Sequence, residues 1–308
     1  MKKVSLLIPA YNEEAAILLL YERLQVVMAS EPSYEWEVLF VNDGSSDNTL
    51  QVIKQLRETD DRIHCLDLSR NFGKEAAMLA GFDYVSGDCM VIMDADLQHP
   101  PELIPEMLKH WEAGYDDVYA RRTSRGKESW LRRKLSLLFY SILQRSAKVD
   151  ILANAGDFRL LDRQCVNILK MMRESERYTK GMFAWIGFRK KEVLYEQGDR
   201  LTGSSSWNLL KLFDFALNGI TSFTTAPLRL SIIAGLIISF TAFAYMCFIL
   251  VKTLLWGEIV PGYPTLIIII LFLGGMQLVS LGVIGEYIGR IFHETKNRPP
   301  YIVREHIG

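Results

Sequence analysis

Two carboxylates one residue apart, Asp94 and Asp96, follow an apolar run in the stretch MVIMDADLQHPP. A strand ending this way carries them into a water-poor place, where an unpaired carboxylate is costly and two close ones raise each other's pKa. A positive partner is therefore expected beside them. If the two-residue period of the strand persists, both side chains stand on one face. Such a pair suits a hard divalent cation, Mg2+ or Mn2+, which keeps several waters and completes its shell with substrate phosphates. That ion would act as a Lewis acid on a departing diphosphate. Most isolated Asp-x-Asp pairs cap helices or face solvent, so the weight of this one depends on its surroundings. Gln98 lies close enough to support the ligands or touch a sugar.

Two further stretches offer chemistry. NDGSSDNT, residues 42–49, has the composition of a turn, and Asp43 stands where a strand would end, able to accept hydrogen bonds from the N–H groups of a base. RNFGKEAA, residues 70–77, places Lys74 at a helix start, where backbone N–H groups favour anions. Its spacing matches neither a Walker loop nor a dinucleotide fingerprint, which disfavours a kinase or a dehydrogenase.

The elements that must position these groups alternate. KVSLLIPA is followed by a helical pattern from Glu13 to about Ser30, and EVLFVND by a helix starting near Asp47, with Ser46 or Asp47 able to cap it. IHCLDLS leads to KEAAMLAGFDYV, CMVIMDAD leads to PELIPEMLKHWEAG, and DDVYARR follows. Alternation of this kind argues for a mostly parallel, doubly wound sheet, with ligands at the carboxyl ends of the strands. Tyr11, Asn12, Glu13, Asn42, Asp43, Asn71 to Lys74, Asp94, Asp96, Arg121 and Arg122 all fall on that one rim.

The chain has 308 residues, 49% hydrophobic and 23% charged, with a formal net charge of −1, so nucleic acid is not an expected partner. Cysteines 65, 89, 165 and 247 are widely spaced and form no CxxC pair, so neither a zinc site nor a disulfide framework is indicated. The amino terminus, MKKVSLLIPAYNEE, has too short an apolar run for a signal peptide and suits a first strand. Leu230–Val251 and Ile259–Gly285 are free of charge, and each exceeds the roughly 20 residues that span a bilayer core. A short link makes them a hairpin. Arg229, Arg290, Lys296, Arg298 and Arg304 flank the pair, against Lys252 in the link, which puts both flanks on the cytoplasmic side. Residues 126–146 set Trp130, Leu131, Leu135, Leu138, Phe139, Ile142 and Leu143 at helical spacing against Arg132, Arg133, Lys134 and Arg145, a pattern suited to a membrane surface. Residues 205–223 read similarly. Gly274, Gly275, Gly282 and Gly285 give small faces suited to helix packing within the hairpin or between subunits of a homo-oligomer.

Taken together, IPAYNEE, VNDGSSDNT, NFGKEAAMLAG, MDADLQHPPE and GDFRLLDR resemble the family-two glycosyltransferases of the GT-A fold. More narrowly the chain resembles the polyprenyl-phosphate branch: bactoprenol glucosyltransferases and, more distantly, dolichol-phosphate mannose synthases. The two C-terminal spans and the ending GVIGEYIGRIFHETKNRPPYIV extend that similarity over essentially the whole chain. The resemblance implies an α/β, Rossmann-like GT-A domain over 1–226, including membrane-surface helices at about 127–146 and 207–223. Two transmembrane helices, at about 229–252 and 263–286 within 227–289, and a cytoplasmic tail over 290–308 would follow. It implies that Pro9, Tyr11, Glu13 and Asp43 hold a nucleotide, uridine being expected, with Lys74, Ala95 and Gln98 also on the nucleotide-sugar. Asp94 and Asp96 would hold the metal and diphosphate. Arg122 matches a family arginine near the phosphates, and Asp157 of GDFRL the position often proposed as the acceptor-side catalytic residue. Arg200 opens an acceptor-facing loop whose usual lysine is here Ser206, which shifts the acceptor phosphate toward Arg200 and basic neighbours such as Arg159.

The implied reaction is inverting transfer of one sugar, glucose by resemblance, from a UDP-sugar to undecaprenyl phosphate at the cytoplasmic membrane face, among membrane lipids. N-acetylglucosamine, galactose, aminoarabinose and GDP-mannose are alternatives, since no residue reads out a particular hydroxyl. A lipid phosphate monoester is largely ionised at neutral pH, with a second pKa near 6, and needs placing more than deprotonation. Asp157 is therefore expected to orient the acceptor or stabilise developing positive charge rather than act as an obligatory base. A polysaccharide synthase would need more membrane helices, and a nucleotide-binding scaffold would not need Asp94 and Asp96 together.

Overall fold

The computed structural model describes residues 1–123, 155–174, 177–195, 226–256 and 262–308. The expected surface helices, together with Arg132, Arg133, Arg200 and Ser206, lie outside the described residues. The chain divides into two compact units, Met1–Phe213 with Pro299–Gly308, and Asp214–Arg298.

In the first unit, β1 (Lys2–Ala10), α1 (Glu14–Ser30), β2 (Tyr34–Asn42), α2 (Thr49–Thr59), β3 (Ile63–Leu68), α3 (Lys74–Tyr84), β4 (Cys89–Ile92), α4 (Ile104–Glu112) and β5 (Asp117–Arg122) alternate in the expected order. β1, β2 and β4 are near-continuous apolar runs, as strands covered on both faces must be. β1 pairs in parallel with β2 and β4, and β2 with β3. Ile17, Leu20 and Leu24 of α1, Ile53 of α2 and Met107, Leu108 and Trp111 of α4 pack on one face of the sheet. Ala77, Met78, Leu79 and Phe82 of α3 fill the other. Gly81 lets α3 lie close on β1, since a Cβ there would fall on the Leu7 side chain.

The remaining elements of this unit were not read from the sequence. β6 (Ala155–Asp162) is antiparallel to both β4 and β5 and sits between them. It continues into α5 (Arg163–Met171) and α6 (Thr179–Trp185), and β7 (Lys190–Tyr195) pairs in parallel with β5. The expected tail, 290–308, contains β8 (Val303–Ile307), which is antiparallel to β3 and closes that edge of the sheet. The order is β7-β5-β6-β4-β1-β2-β3-β8. The sheet is a mostly parallel α/β arrangement with helices on both faces.

The second unit holds α7 (Ala226–Trp256) and α8 (Tyr263–Thr295), which pack on each other. At 1.5 Å per residue, 31 and 33 residues make helices roughly 45–50 Å long, longer than the ~30 Å bilayer core. Within α8, Phe272–Thr295 is long and apolar enough to cross a membrane, and α7 contributes the apolar stretch Ser231–Tyr245. Ile232, Leu236, Phe240, Leu278 and Leu281 turn outward, between 61% and 76% exposed.

Candidate functional site

The carboxyl ends of β1, β2 and β4 and the start of α3 enclose a cavity of about 320 Å³. Pro9, Tyr11, Glu13, Asp43, Lys74, Asp94, Ala95 and Asp96, all singled out in the sequence, line it, with Ala10, Asn71, Gly73 and Ala77.

The positive partner of Asp94 is Lys74. Its Nζ lies 2.5 Å from Asp94 Oδ1 and 2.7 Å from Asp157 Oδ2, joining two carboxylates from different strand ends. Asp157 is mostly shielded, with 12% of its side chain exposed, and loss of solvent alone would raise its carboxyl. Lys74, with Lys180 and Arg159 behind it, instead holds that carboxyl well below the ordinary carboxylate range. Burial works against the Lys74 ammonium in turn, but Asp94 and Asp157 raise its pKa further above the ordinary lysine value. Asp157 Oδ1 is buried and accepts no hydrogen bond.

The strand period does not carry through the two aspartates. β4 ends at Ile92, and residues 94–99 form a turn in which Leu97 takes φ +63°. The turn is held by its own groups: Gln98 N–H donates to Asp96 Oδ1 at 3.1 Å, and Asp94 N–H donates to His99 Nδ1 at 3.1 Å. His99 is buried and stacked on Phe158, with ring centroids 5.0 Å apart. Burial lowers its pKa, with Asp94 pulling the other way, so the ring is neutral and, with Nδ1 accepting, carries its proton on Nε2. His99 was not picked out from the sequence, although it stands beside Gln98 ahead of Pro100 and Pro101. Gln98 is not among the residues that line this cavity.

Asp43 is buried at the end of β2 and accepts from Phe72 N–H at 2.7 Å and Gly73 N–H at 2.9 Å. Burial still leaves its pKa raised, despite those two bonds and Arg70 nearby. Its first task is thus to tie the 70–73 loop to the β2 end, while its carboxylate still borders the cavity. Gly44 makes the tie close: with φ +65°, a Cβ there would stand 2.4 Å from the Arg70 carbonyl carbon. The cap expected of Ser46 or Asp47 is not formed: α2 starts at Thr49 behind Asn48, which makes no side-chain capping bond, and Asp47 Oδ1 instead accepts from Thr49 N–H at 3.0 Å within the turn. Glu75, whose carboxyl is raised by burial, accepts from Thr179 N–H at 3.0 Å and from its hydroxyl, fixing the start of α3 against α6.

Arg122 lies beyond this cavity, its Nε donating to Tyr195 Oη at 3.1 Å, and Arg121 pairs with Glu192 at 3.2 Å. Arg159 must be reassigned. Expected at the acceptor phosphate, it is 4% exposed, with Nη1 3.0 Å from the fully buried Asp117 and its guanidinium 3.7 Å over the Phe183 ring. Its place in the middle of β6, between β4 and β5, turns it into the core.

Among the described residues no three His, Cys, Asp or Glu side chains converge as a ready-made metal cage. Asp94 and Asp96 offer oxygen donors only, at the wall of the cavity. That donor set fits a hard cation whose remaining positions go to water and phosphate.

A family model described as glycosyl transferase family 2 matches residues 5–168, and the chain belongs to that family. Residues 226–291 match a second model, the GtrB C-terminal hairpin. The chain is 47% identical over 302 residues to the putative glycosyltransferase CsbB of Bacillus subtilis (strain 168), covering 98% of this chain and 91% of that one. It is 43% identical over 303 residues to the SfII prophage-derived bactoprenol glucosyl transferase of Shigella flexneri, covering 98% of each. Among solved structures, mannosyl-3-phosphoglycerate synthase from Rubrobacter xylanophilus is similar at a TM-score of 0.49 and 17% identity, over 70% of this chain and 71% of that one.

Proposed function

We propose that this glycosyltransferase moves a single glucose from UDP-glucose to undecaprenyl phosphate, with inversion, at the cytoplasmic face of a membrane. The observation that carries the chemistry is Lys74 bridging Asp94 and Asp157 inside the cavity at the carboxyl rim. The names of the full-length relatives support the choice of sugar and lipid. Pro9, Tyr11, Glu13 and Asp43 would hold the uridine end of the donor, and Asp94 and Asp96 would hold Mg2+ or Mn2+. When bound, that ion would neutralise charge on the diphosphate.

The acceptor phosphate oxygen attacks the anomeric carbon while the bond from that carbon to the diphosphate oxygen breaks, so UDP leaves with the electron pair. No proton has to move, because the monoester is already ionised above about pH 6. This accords with Asp157: a carboxylate held ionised by Lys74 is a poor proton acceptor. We assign it to fixing Lys74 and to meeting positive charge that develops on the sugar. Arg122 and Arg200 are proposed to serve the phosphates. α7 and α8 would cross the bilayer as a hairpin with both flanks cytoplasmic, from the excess of Arg and Lys there.

The test uses purified full-length protein, undecaprenyl phosphate, Mg2+ and radiolabelled UDP-glucose, UDP-galactose, UDP-N-acetylglucosamine, UDP-aminoarabinose and GDP-mannose in turn. Lipid-extractable label from UDP-glucose alone is expected. Label from another donor would overturn the sugar, and label from none would overturn the function.

A further inference from the structure

The last ten residues fold onto the first unit and reach the turn that borders the donor cavity. Pairing of β8 with β3 brings Arg304 against Asp67, with Nη1 3.4 Å from Oδ2, while Nη2 donates to the Ser69 carbonyl at 2.6 Å. Asp67 is 2% exposed, and its other oxygen accepts from Asn42 Nδ2 at 2.7 Å. Asn42, also 2% exposed, accepts through Oδ1 from Ser45 N–H at 3.3 Å. Ser45 Oγ accepts from Asn12 N–H at 3.0 Å, and Asn12 Oδ1 accepts from Ser46 N–H at 2.8 Å. Asn12, at φ +56°, stands between Tyr11 and Glu13, and Asn42 directly precedes Asp43. Tyr11, Glu13 and Asp43 all line the cavity. One continuous polar chain therefore runs from the C-terminal strand to both sides of the pocket mouth.

Nothing in that chain can be dropped without consequence for the next member. Asp67 is a buried carboxylate, and its partners are what make its burial tolerable. Remove the Arg304 cation and Oδ2 loses its charged neighbour, so Asp67 draws harder on its remaining donor, Asn42 Nδ2. That changes the position of Asn42 and what it offers to Ser45, and so shifts the 42–46 turn. The turn has no slack, because Gly44 already lies against the Arg70–Asn71 backbone.

We infer that Arg304 is a positioning residue of the donor site, acting through Asp67 and Asn42 on the nucleotide-binding turn. The inference rests on the assignment of this cavity to a nucleotide. The competing explanation is that β8 merely covers an open sheet edge. The C-terminal segment supplies its own control: Tyr301, two residues ahead of β8, donates its hydroxyl proton to Asp83 of α3, a contact off the polar chain.

The experiment measures the affinity of full-length protein in detergent micelles for UDP with Mg2+, by calorimetry, alongside its thermal melt. Arg304→Ala should raise the UDP Kd by about tenfold, in the range found for mutations that act through a coupled network. Arg304→Lys should restore part of the affinity, and Tyr301→Phe should leave Kd unchanged. An unchanged Kd in Arg304→Ala overturns the inference, as does equal weakening by Tyr301→Phe, which would trace the effect to docking of the C-terminal segment. A wild type that binds neither UDP nor GDP removes the nucleotide assignment itself, and the inference with it.

Discussion

Lys74→Met tests the arrangement at the centre of the site. Its ammonium lies 2.5 Å from Asp94 and 2.7 Å from Asp157, so its loss leaves two carboxylate oxygens no more than about 5 Å apart, repelling by ~3 kcal/mol at an effective dielectric of about 20. Lys74 is 40% exposed, and solvent screening reduces the expected cost to about 1–2 kcal/mol. For a unit of this size that is a fall in Tm of roughly 2–8 °C. The pH dependence follows from Asp157, whose folded-state pKa is depressed. A depressed carboxylate contributes stability that is present above its unfolded pKa, about 3.9, and is lost as pH falls through the lower folded value. Lys74→Met should remove that contribution. The gap in Tm between wild type and variant should be full at pH 7 and shrink once pH drops below about 4. Tryptophan fluorescence melts of the detergent-solubilised protein at several pH values would read it. A gap equally wide in acid, or no gap at pH 7, would refute the bridging role.

Gly44→Ala forces a side chain into a left-handed backbone against the Arg70 carbonyl carbon; it should lower Tm and weaken UDP binding measured by calorimetry, and an unchanged Kd would show that the 42–46 turn does not shape the pocket. Arg159→Leu strands the buried Asp117 carboxylate and should cost about 3–5 kcal/mol in stability, much of it recovered in the double variant with Asp117→Leu; a raised acceptor KM with normal Tm would return Arg159 to the phosphate. Asp157→Asn should slow transfer without removing a carboxylate-like limb from the pH profile of kcat, because none is expected in the wild type; such a limb, lost in the variant, would establish Asp157 as a base.

The rim of the site was legible because strand–helix alternation is a local signal. Once β1, β2 and β4 are parallel neighbours, Tyr11, Asp43 and Asp94 must stand together. The need for a cation beside Asp94 was legible too, from the cost of a buried carboxylate, but its identity as Lys74 was not, since the bridge also depends on Asp157, 83 residues further along. The place of Arg159 was hidden for a related reason. In sequence GDFRL is polar and looks exposed, whereas as the antiparallel strand between β4 and β5, covered on both faces, it buries Phe158, Arg159, Leu160 and Leu161 in succession. β8 was missed because VREHI is short and charged, as an edge strand tends to be.

The most direct test of the account compares two acceptors that differ only in the phosphate. Purified protein with labelled UDP-glucose and Mg2+ would receive either undecaprenyl phosphate or undecaprenol, with EDTA and Asp96→Ala as controls. Label should pass to the lipid phosphate alone, and both controls should abolish it. Equal transfer to undecaprenol would contradict the phosphate as nucleophile and require the base that the Lys74–Asp157 pair is poorly suited to provide.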